Sequence, residues 1–274
     1  MRRAWRFLLV IVSLAVYFIV LAPVGYAVLT LLSLLPTRDP DARATRLQGI
    51  VCWGFRTMHD WLRVIRIIDF DPREVEGALP EGPCIVVANH RTLTDITSIM
   101  ASFGPMTAAV KPEIYRMWWL RPLIESAGFI EGASINPLDL GNMLDAAARS
   151  ARRGTRFLLF PEGTRAPDDQ LLPFGRTAFE IACRADVPVV PVLLHWKHPW
   201  LSKNCRLFAM PKGPTQLRLQ ALSPIYPSEL EGSSRALKDV VESTFHARLK
   251  VDSARELEGY NAGINRESAQ AAHR

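Results

Sequence analysis

The sequence predicts an α/β domain whose largely parallel sheet is flanked by helices, with an N-terminal membrane helix or helical hairpin ahead of it. Three observations carry that prediction. An uncharged apolar run lies near the start, short strand-like runs alternate with helix-like stretches, and polar motifs directly follow two of those runs. A chain of 274 residues can bury one good-sized core or two modest ones, so a single catalytic domain with added elements is the expectation.

From Phe7 to Leu35 no side chain is charged, and the run exceeds the roughly 20 residues needed to cross a bilayer. It is also far longer than the roughly 7 to 15 residues of a signal-peptide core, which argues against cleavage. Arg2, Arg3 and Arg6 precede it, and Arg38, Arg43 and Arg46 follow it, so both flanks read as cytoplasmic by the positive-inside rule. A hairpin broken near Pro23 and Gly25 satisfies both flanks, because proline removes a helical hydrogen bond. A single tilted span is the alternative. The net charge of +6 suits a polyanion, and beside this segment the partner expected is a membrane surface and its lipids. Nucleic acid is not expected, since no basic motif or stacking platform accompanies the charge.

Residues 41 to 62 place Leu47, Ile50, Val51, Trp53, Phe55, Met58, Trp61 and Leu62 among arginines at helical spacing, which fits a helix at a bilayer interface or one packed on the core. His59 and Asp60 are adjacent there and cannot face one another on a helix. Beyond this point Val64 to Phe70, Cys84 to Ala88, Met106 to Val110, Phe157 to Phe160, Val187 to Leu194 and Leu217 to Leu222 read as strands. Ile96 to Phe103, Tyr115 to Ala127, Leu140 to Arg153 and Arg176 to Ala185 read as helices. Such alternation implies a parallel sheet with helices on its faces, and active sites of such folds gather beyond strand ends. The divisions expected are an anchor with an interfacial helix over residues 1–62, a catalytic domain over 63–250 and a polar tail over 251–274. Cys52, Cys84, Cys183 and Cys205 are scattered, which fits neither a zinc site nor a disulfide framework.

Two motifs stand out. In V-V-A-N-H-R-T-L-T-D, His90 and Asp95 follow an apolar run. In one continuous helix they would lie about 140° apart and could not meet. A strand-to-helix junction, with Thr92 or Thr94 as cap, lets Asp95 fold back to the imidazole, fixing one ring nitrogen and leaving the other as a general base. The second motif, F-P-E-G-T-R at 160 to 165, follows another strand candidate. Its glycine permits close approach of a ligand, and its arginine can clamp a carboxylate or phosphate.

Taken together, in this order, Asn89-His90 with Asp95, Phe160 to Arg165, and the V-P-V-V-P-V run at 187 to 192 resemble the lysophospholipid acyltransferase family, the PlsC-like glycerolipid acyltransferases. The resemblance covers roughly residues 64 to 222 and implies transfer of an acyl group from acyl-CoA or acyl carrier protein to the hydroxyl of a 1-acylglycerol 3-phosphate in phospholipid biosynthesis. It implies that His90 deprotonates the acceptor and Asp95 orients it. It further implies that Asn89, Glu162, Gly163, Thr164 and Arg165 hold the acceptor, and that Pro191 shapes the acyl-donor side. No cofactor or metal is required, and the histidine spacing offers no ligand cluster. A thioester made in the cytoplasm implies an inner-membrane protein with its catalytic domain on the cytoplasmic face.

The sequence departs from the family at three places. The segment G-F-I-E-G-A-S-I at 128 to 135 lacks the family's arginine and carries Glu131, which would repel a phosphate if it faced the site. A P-F-K-x-G stretch is replaced by Pro173-Phe174-Gly175-Arg176-Thr177. The segment H-W-K-H-P-W-L-S-K-N at 195 to 204 is closer to relatives found beside aryl polyene and other specialised-lipid pathways. Lys111, Arg121, Arg165 and Arg176 are candidate phosphate contacts, and His195 and His198 candidate pocket residues. Trp118 and Trp119 fit membrane contact or core packing. Two alternatives stay open: the same chemistry on a phosphate-free hydroxyl such as that of an aryl polyene or other specialised lipid, and a non-catalytic lipid-binding membrane protein.

Overall fold

The computed structural model describes residues 8, 11–13, 15–133, 137–167, 170–203 and 215–250. Arg2, Arg3, Arg6, Cys205 and the tail over 251–274 lie outside them. In chain order the elements are α1 (Ala22–Leu34), α2 (Pro40–Val64), β1 (Ile68–Asp69), β2 (Ile85–Ala88), α3 (Asp95–Phe103), β3 (Thr107–Val110), α4 (Pro112–Tyr115), α5 (Arg121–Ser126), β4 (Ile130–Glu131), α6 (Pro137–Arg152), β5 (Phe157–Leu159), α7 (Thr177–Ala185), β6 (Val189–Lys197) and β7 (Thr215–Ala221). A further helix, α8, covers residues 234–250.

The strands form one seven-stranded sheet in the order β1-β7-β6-β2-β5-β3-β4. Only the β6–β7 contact is antiparallel, so the expected largely parallel sheet is found, as a mixed one. Strand β2 is buried at every position, as a central parallel strand covered on both faces must be. Its alternate residues divide between two cores. Val86 and Ala88 join Ile99, Met100, Leu158 and Trp196 beneath α2 and α3. Ile85 and Val87 join Phe157, Phe179, Ala182, Leu237 and Phe245 beneath α6, α7 and α8.

Register aligns the ends of the parallel strands. Ile85 lies opposite Phe157, and Thr107 opposite Phe157 on the other side. The loops that leave β2, β5 and β3 therefore emerge along one edge, which is where residues 89–95, 160–166 and Lys111 sit.

Several boundaries differ from the sequence expectation. Val64 to Phe70 is not a strand throughout, because α2 runs on to Val64 and Ile65 caps it, leaving only Ile68–Asp69 extended. The helix expected over Tyr115 to Ala127 is divided into α4 and α5. Pro122 explains the division, since its ring collides with the carbonyl four residues back and it offers no N–H. The two-residue β4 is too short for a periodic signal, whereas α8, absent from the expected elements, carries Leu237, Val241, Phe245 and Leu249 at helical spacing on its buried face.

The expected membrane helix or hairpin is not shown as a span. Among the described residues no helix is long and apolar enough to cross a membrane. The break expected at Pro23 and Gly25 is also absent. The chain forms a π-helical turn over Tyr17–Leu21, which accommodates Pro23 by widening the turn its ring would clash with, and α1 continues through Gly25. The reversal comes at residues 35–39 instead. There Asp39 caps α2 by accepting from Ala42 N at 3.0 Å, and Arg43 donates to the exposed carbonyl of Ser33 at the end of α1 (3.2 Å).

Helix α2 is fixed to α3 by polar bonds as well as by packing. Arg56 donates to Ala101 O (2.8 and 3.1 Å), and buried His59 contacts Thr97 Oγ1 at 3.1 Å and Ser98 Oγ at 3.3 Å. Burial pushes the His59 pKa down to about 4. The folded chain thus excludes a proton that the unfolded chain binds below about pH 6.5. Stability from this group is complete above that pH and falls as pH drops toward 4. Denaturant titrations between pH 7 and 4.5 should show a loss on the order of 2–3 kcal/mol that His59→Gln, which does not titrate, lacks.

Candidate active site

The loop between β2 and α3 folds around one carboxylate. Asp95 is the first residue of α3 and is fully buried. Its Oδ2 accepts from the main-chain N–H of Arg91 (2.6 Å) and of Thr92 (2.9 Å) and meets His90 Nδ1 at 2.8 Å. Its Oδ1 accepts from Thr92 Oγ1 (2.6 Å) and from the indole Nε1 of Trp196 (3.0 Å). These donors replace the hydration this buried carboxylate has lost, and it sits at a helix N-terminus where negative charge is favoured.

With Asp95 accepting at Nδ1, the neutral imidazole carries its proton there and keeps a lone pair on Nε2. The ring is stacked on Phe160, with centroids 4.1 Å apart and planes 22° off parallel. His90 is thus fixed in tilt by one motif and in tautomer by the other, while its side chain remains about one-fifth exposed.

The capping expected of Thr92 or Thr94 is made by neither side chain. Thr94 occupies the cap position without a side-chain cap bond. Thr92 Oγ1 turns to Asp95 and contacts Thr94 Oγ1 at 3.0 Å.

The F-P-E-G-T-R loop lies against this one. Glu162 Oε1 accepts from His90 N at 2.7 Å, and Oε2 from Leu172 N at 3.0 Å. Burial raises the Glu162 pKa, and those two N–H donors oppose the rise. Gly163 has φ +67°, and a Cβ built there would meet nothing within 4 Å, so its backbone faces open space. Arg165 Nη1 donates to Leu201 O (2.9 Å), and Ala166 N to His90 O (2.7 Å). Thr164 Oγ1 lies 3.5 Å from Lys203 Nζ.

The structure therefore brings His90, Asp95, Glu162 and Arg165 into one network. Asn89 is engaged differently: its amide donates to Leu194 O (3.0 Å) and accepts from Leu194 N (2.8 Å), joining the end of β2 to β6. Pro191 lies on β6 opposite Val87. Arg176 binds Glu180 and Ser234, and Arg121 pairs with Glu125. Lys111 is exposed at the end of β3. Of the two candidate histidines, His195 pairs with Arg218 in the sheet, and His198 adopts φ +55°. Glu131 does not stand alone, for Arg116 Nε donates to it at 2.6 Å.

Sequence reasoning missed Trp196, Phe160 as the stacking partner, and Arg116. Only the position of Phe160 in the F-P-E-G-T-R motif gave any signal.

A family model described as Acyltransferase matches residues 56–195. The human protein named 1-acyl-sn-glycerol-3-phosphate acyltransferase beta is 28% identical over 153 residues, covering 55% of this chain and 54% of that protein. The human alpha protein of the same name is 31% identical over 168 residues, covering 57% and 55%. A protein named 1-acyl-sn-glycerol-3-phosphate acyltransferase from Pseudomonas aeruginosa is 28% identical over 136 residues, covering 48% and 52%. The chain spans about half the length of these curated relatives. A crystal structure of the 1-acyl-sn-glycerophosphate (LPA) acyltransferase PlsC from Thermotoga maritima superposes with a TM-score of 0.68 at 23% identity, over 93% of this chain and 98% of that one. At that identity the likeness shows the fold.

Glu162→Gln tests the join between the two loops. An amide must turn one NH2 toward an N–H donor, leaving a buried donor unpaired at about 1–3 kcal/mol. The thermal midpoint should fall accordingly, and turnover with it, because the displaced N–H is that of His90.

Proposed function

The chain belongs to the acyltransferase family, and from that premise we propose that it is a membrane-associated O-acyltransferase that acylates 1-acylglycerol 3-phosphate. The donor is a thioester, acyl-CoA or acyl carrier protein. The observation that carries the reading is the His90 Nδ1 to Asp95 Oδ2 contact at 2.8 Å, which orients Nε2 as a base.

In this scheme Nε2 takes the proton of the acceptor hydroxyl as its oxygen attacks the thioester carbonyl carbon. The tetrahedral adduct collapses with cleavage of the C–S bond, and the departing thiolate receives the proton from His90. The products are an ester and a free thiol, and His90 returns to its starting state. The Asp95 carboxylate orients the ring and balances the imidazolium. Glu162 acts as a strut, since both of its oxygens hold main-chain N–H groups. Gly163 leaves backbone open to the substrate, and Lys111 stands at the same sheet edge as a phosphate contact.

Membrane association is supported by apolar side chains turned outward. Ile19, Leu31 and Leu34 are 66–74% exposed, Trp53 and Trp61 on α2 are 68% and 53% exposed, and Trp118 is 86% exposed. Tyr26 of α1 meets Trp119 edge-to-face at 5.5 Å, which joins the apolar N-terminal helix to the α4–α5 region. An in-plane association with a cytoplasmic-facing leaflet fits these features and the basic charge. Leu31→Glu with Leu34→Glu should abolish co-flotation with anionic phospholipid vesicles that the wild type shows, and unchanged flotation would count against this face.

A phosphate-free acceptor is the second reading, favoured by Gly132. A Cβ at that position would lie 3.0 Å from Val110 O, so an arginine has little room where the family places one.

The test is free-thiol release from acyl-CoA or acyl carrier protein with 1-acylglycerol 3-phosphate. His90→Ala should lower acceptor-dependent release by about 10²- to 10⁴-fold. Equal release with the phosphate-free lipid would favour the second reading, and release unchanged in His90→Ala would overturn the mechanism.

A further inference from the structure

The segment over residues 196–203 belongs to neither motif, yet it touches both. Trp196, at the end of β6, donates to Asp95 Oδ1. Five residues on, the carbonyl of Leu201 accepts from Leu93 N (3.3 Å) in the first loop and from Arg165 Nη1 (2.9 Å) in the second. Ser202 forms a bridge with Thr92, and Lys203 reaches Thr164.

Leu201 and His198 adopt φ +61° and +55°. For a side chain as large as leucine this left-handed conformation is costly and persists only where neighbours over-determine it. Here the two donors on its carbonyl do so.

We infer that residues 196–203 form a strap that holds the two motif loops together, and that Trp196 is a positioning residue acting through Asp95 on His90. The inference rests on the acyl-transfer reading for its catalytic part and on geometry alone for its structural part. Trp196 fixes Oδ1, so that Oδ2 remains directed at Nδ1. Without the indole N–H, Oδ1 keeps only its bond from Thr92 Oγ1, and the carboxylate holds the imidazole less firmly.

Trp200 supplies a matched control. It is buried in the same core, more deeply than Trp196, but its Nε1 has no hydrogen-bond partner among the described residues. Trp196→Phe and Trp200→Phe thus remove the same ring volume, and only the first removes a hydrogen bond.

In the thiol-release assay Trp196→Phe should lower kcat about tenfold, the scale expected for a bond to a charged group. KM for donor and acceptor should stay within about twofold, and Trp200→Phe should keep kcat within about twofold. Amide hydrogen exchange over residues 89–96 reads the strap without substrate, and should be faster in Trp196→Phe than in Trp200→Phe. Exchange in Trp196→Phe no faster than in the wild type overturns the strap, and kcat equal to that of the wild type overturns the positioning role. A wild type that releases no thiol with any acceptor overturns the acyl-transfer reading, and leaves the exchange comparison to decide the strap.

Discussion

A carboxylate that has left water entirely needs its lost hydration replaced, and the Asp95 side chain is such a group. An isolated buried charge is prohibitive, whereas one ringed by donors is tolerated. Its donors come from the loop that precedes it, from its own neighbour Thr92 and from the far strand β6. Satisfying them fixes the path of residues 90–95, the starting point of α3 and the extension of β6 past the sheet. The imidazole of His90 is one donor among these, so its orientation follows from the same requirement.

The sheet supplies the places from which those donors arrive. Strand β2 lies between β6 and β5, so the loop leaving it has a neighbour on each side. Trp196 reaches Asp95 from β6, and Glu162 reaches the main chain of His90 from the β5 side across a sequence separation of 72 residues. The first ties side chain to side chain, and the second ties a side chain to backbone. They hold whole loops rather than single rotamers, which on the proposed reading is what a base with a mobile lipid substrate requires.

Much of this was legible in the sequence because it depends on local chemistry. Central strands read as apolar runs, and the His90–Asp95 spacing made sense only at a strand-to-helix junction, which is where it lies. What stayed hidden depends on distance through space. Trp196 lies 101 residues from Asp95, and nothing in H-W-K-H-P-W-L-S-K distinguishes an indole bound to a carboxylate from one that merely fills space. Asn89 and Glu162 read as substrate-binding groups because the family resemblance implies that role. Their hydrogen bonds go to main chain, which no spacing could reveal. The N-terminal segment misled for a different reason: hydropathy reports that a run is apolar, but not where the chain turns, and the π-helical turn absorbed the proline that was expected to break it.

The acceptor end of the site obeys a charge balance that the fold makes explicit. Val110 lies opposite Glu131 in the β3–β4 pairing, so Lys111 and Gly132 follow at the same level. Little room for a side chain remains at Gly132, because its N–H already donates to Val110 O at 2.7 Å. The nearby guanidinium, Arg116, has its Nε engaged by Glu131, which cancels the repulsion that a lone carboxylate would exert. Positive charge with freedom to move is then left to Lys111. On the proposed reading, the headgroup is met by a flexible ammonium instead of an arginine fork fixed on the strand. A point charge of that kind follows its ligand but imposes little geometry, so selectivity at this edge rests on charge rather than on the shape of a phosphate.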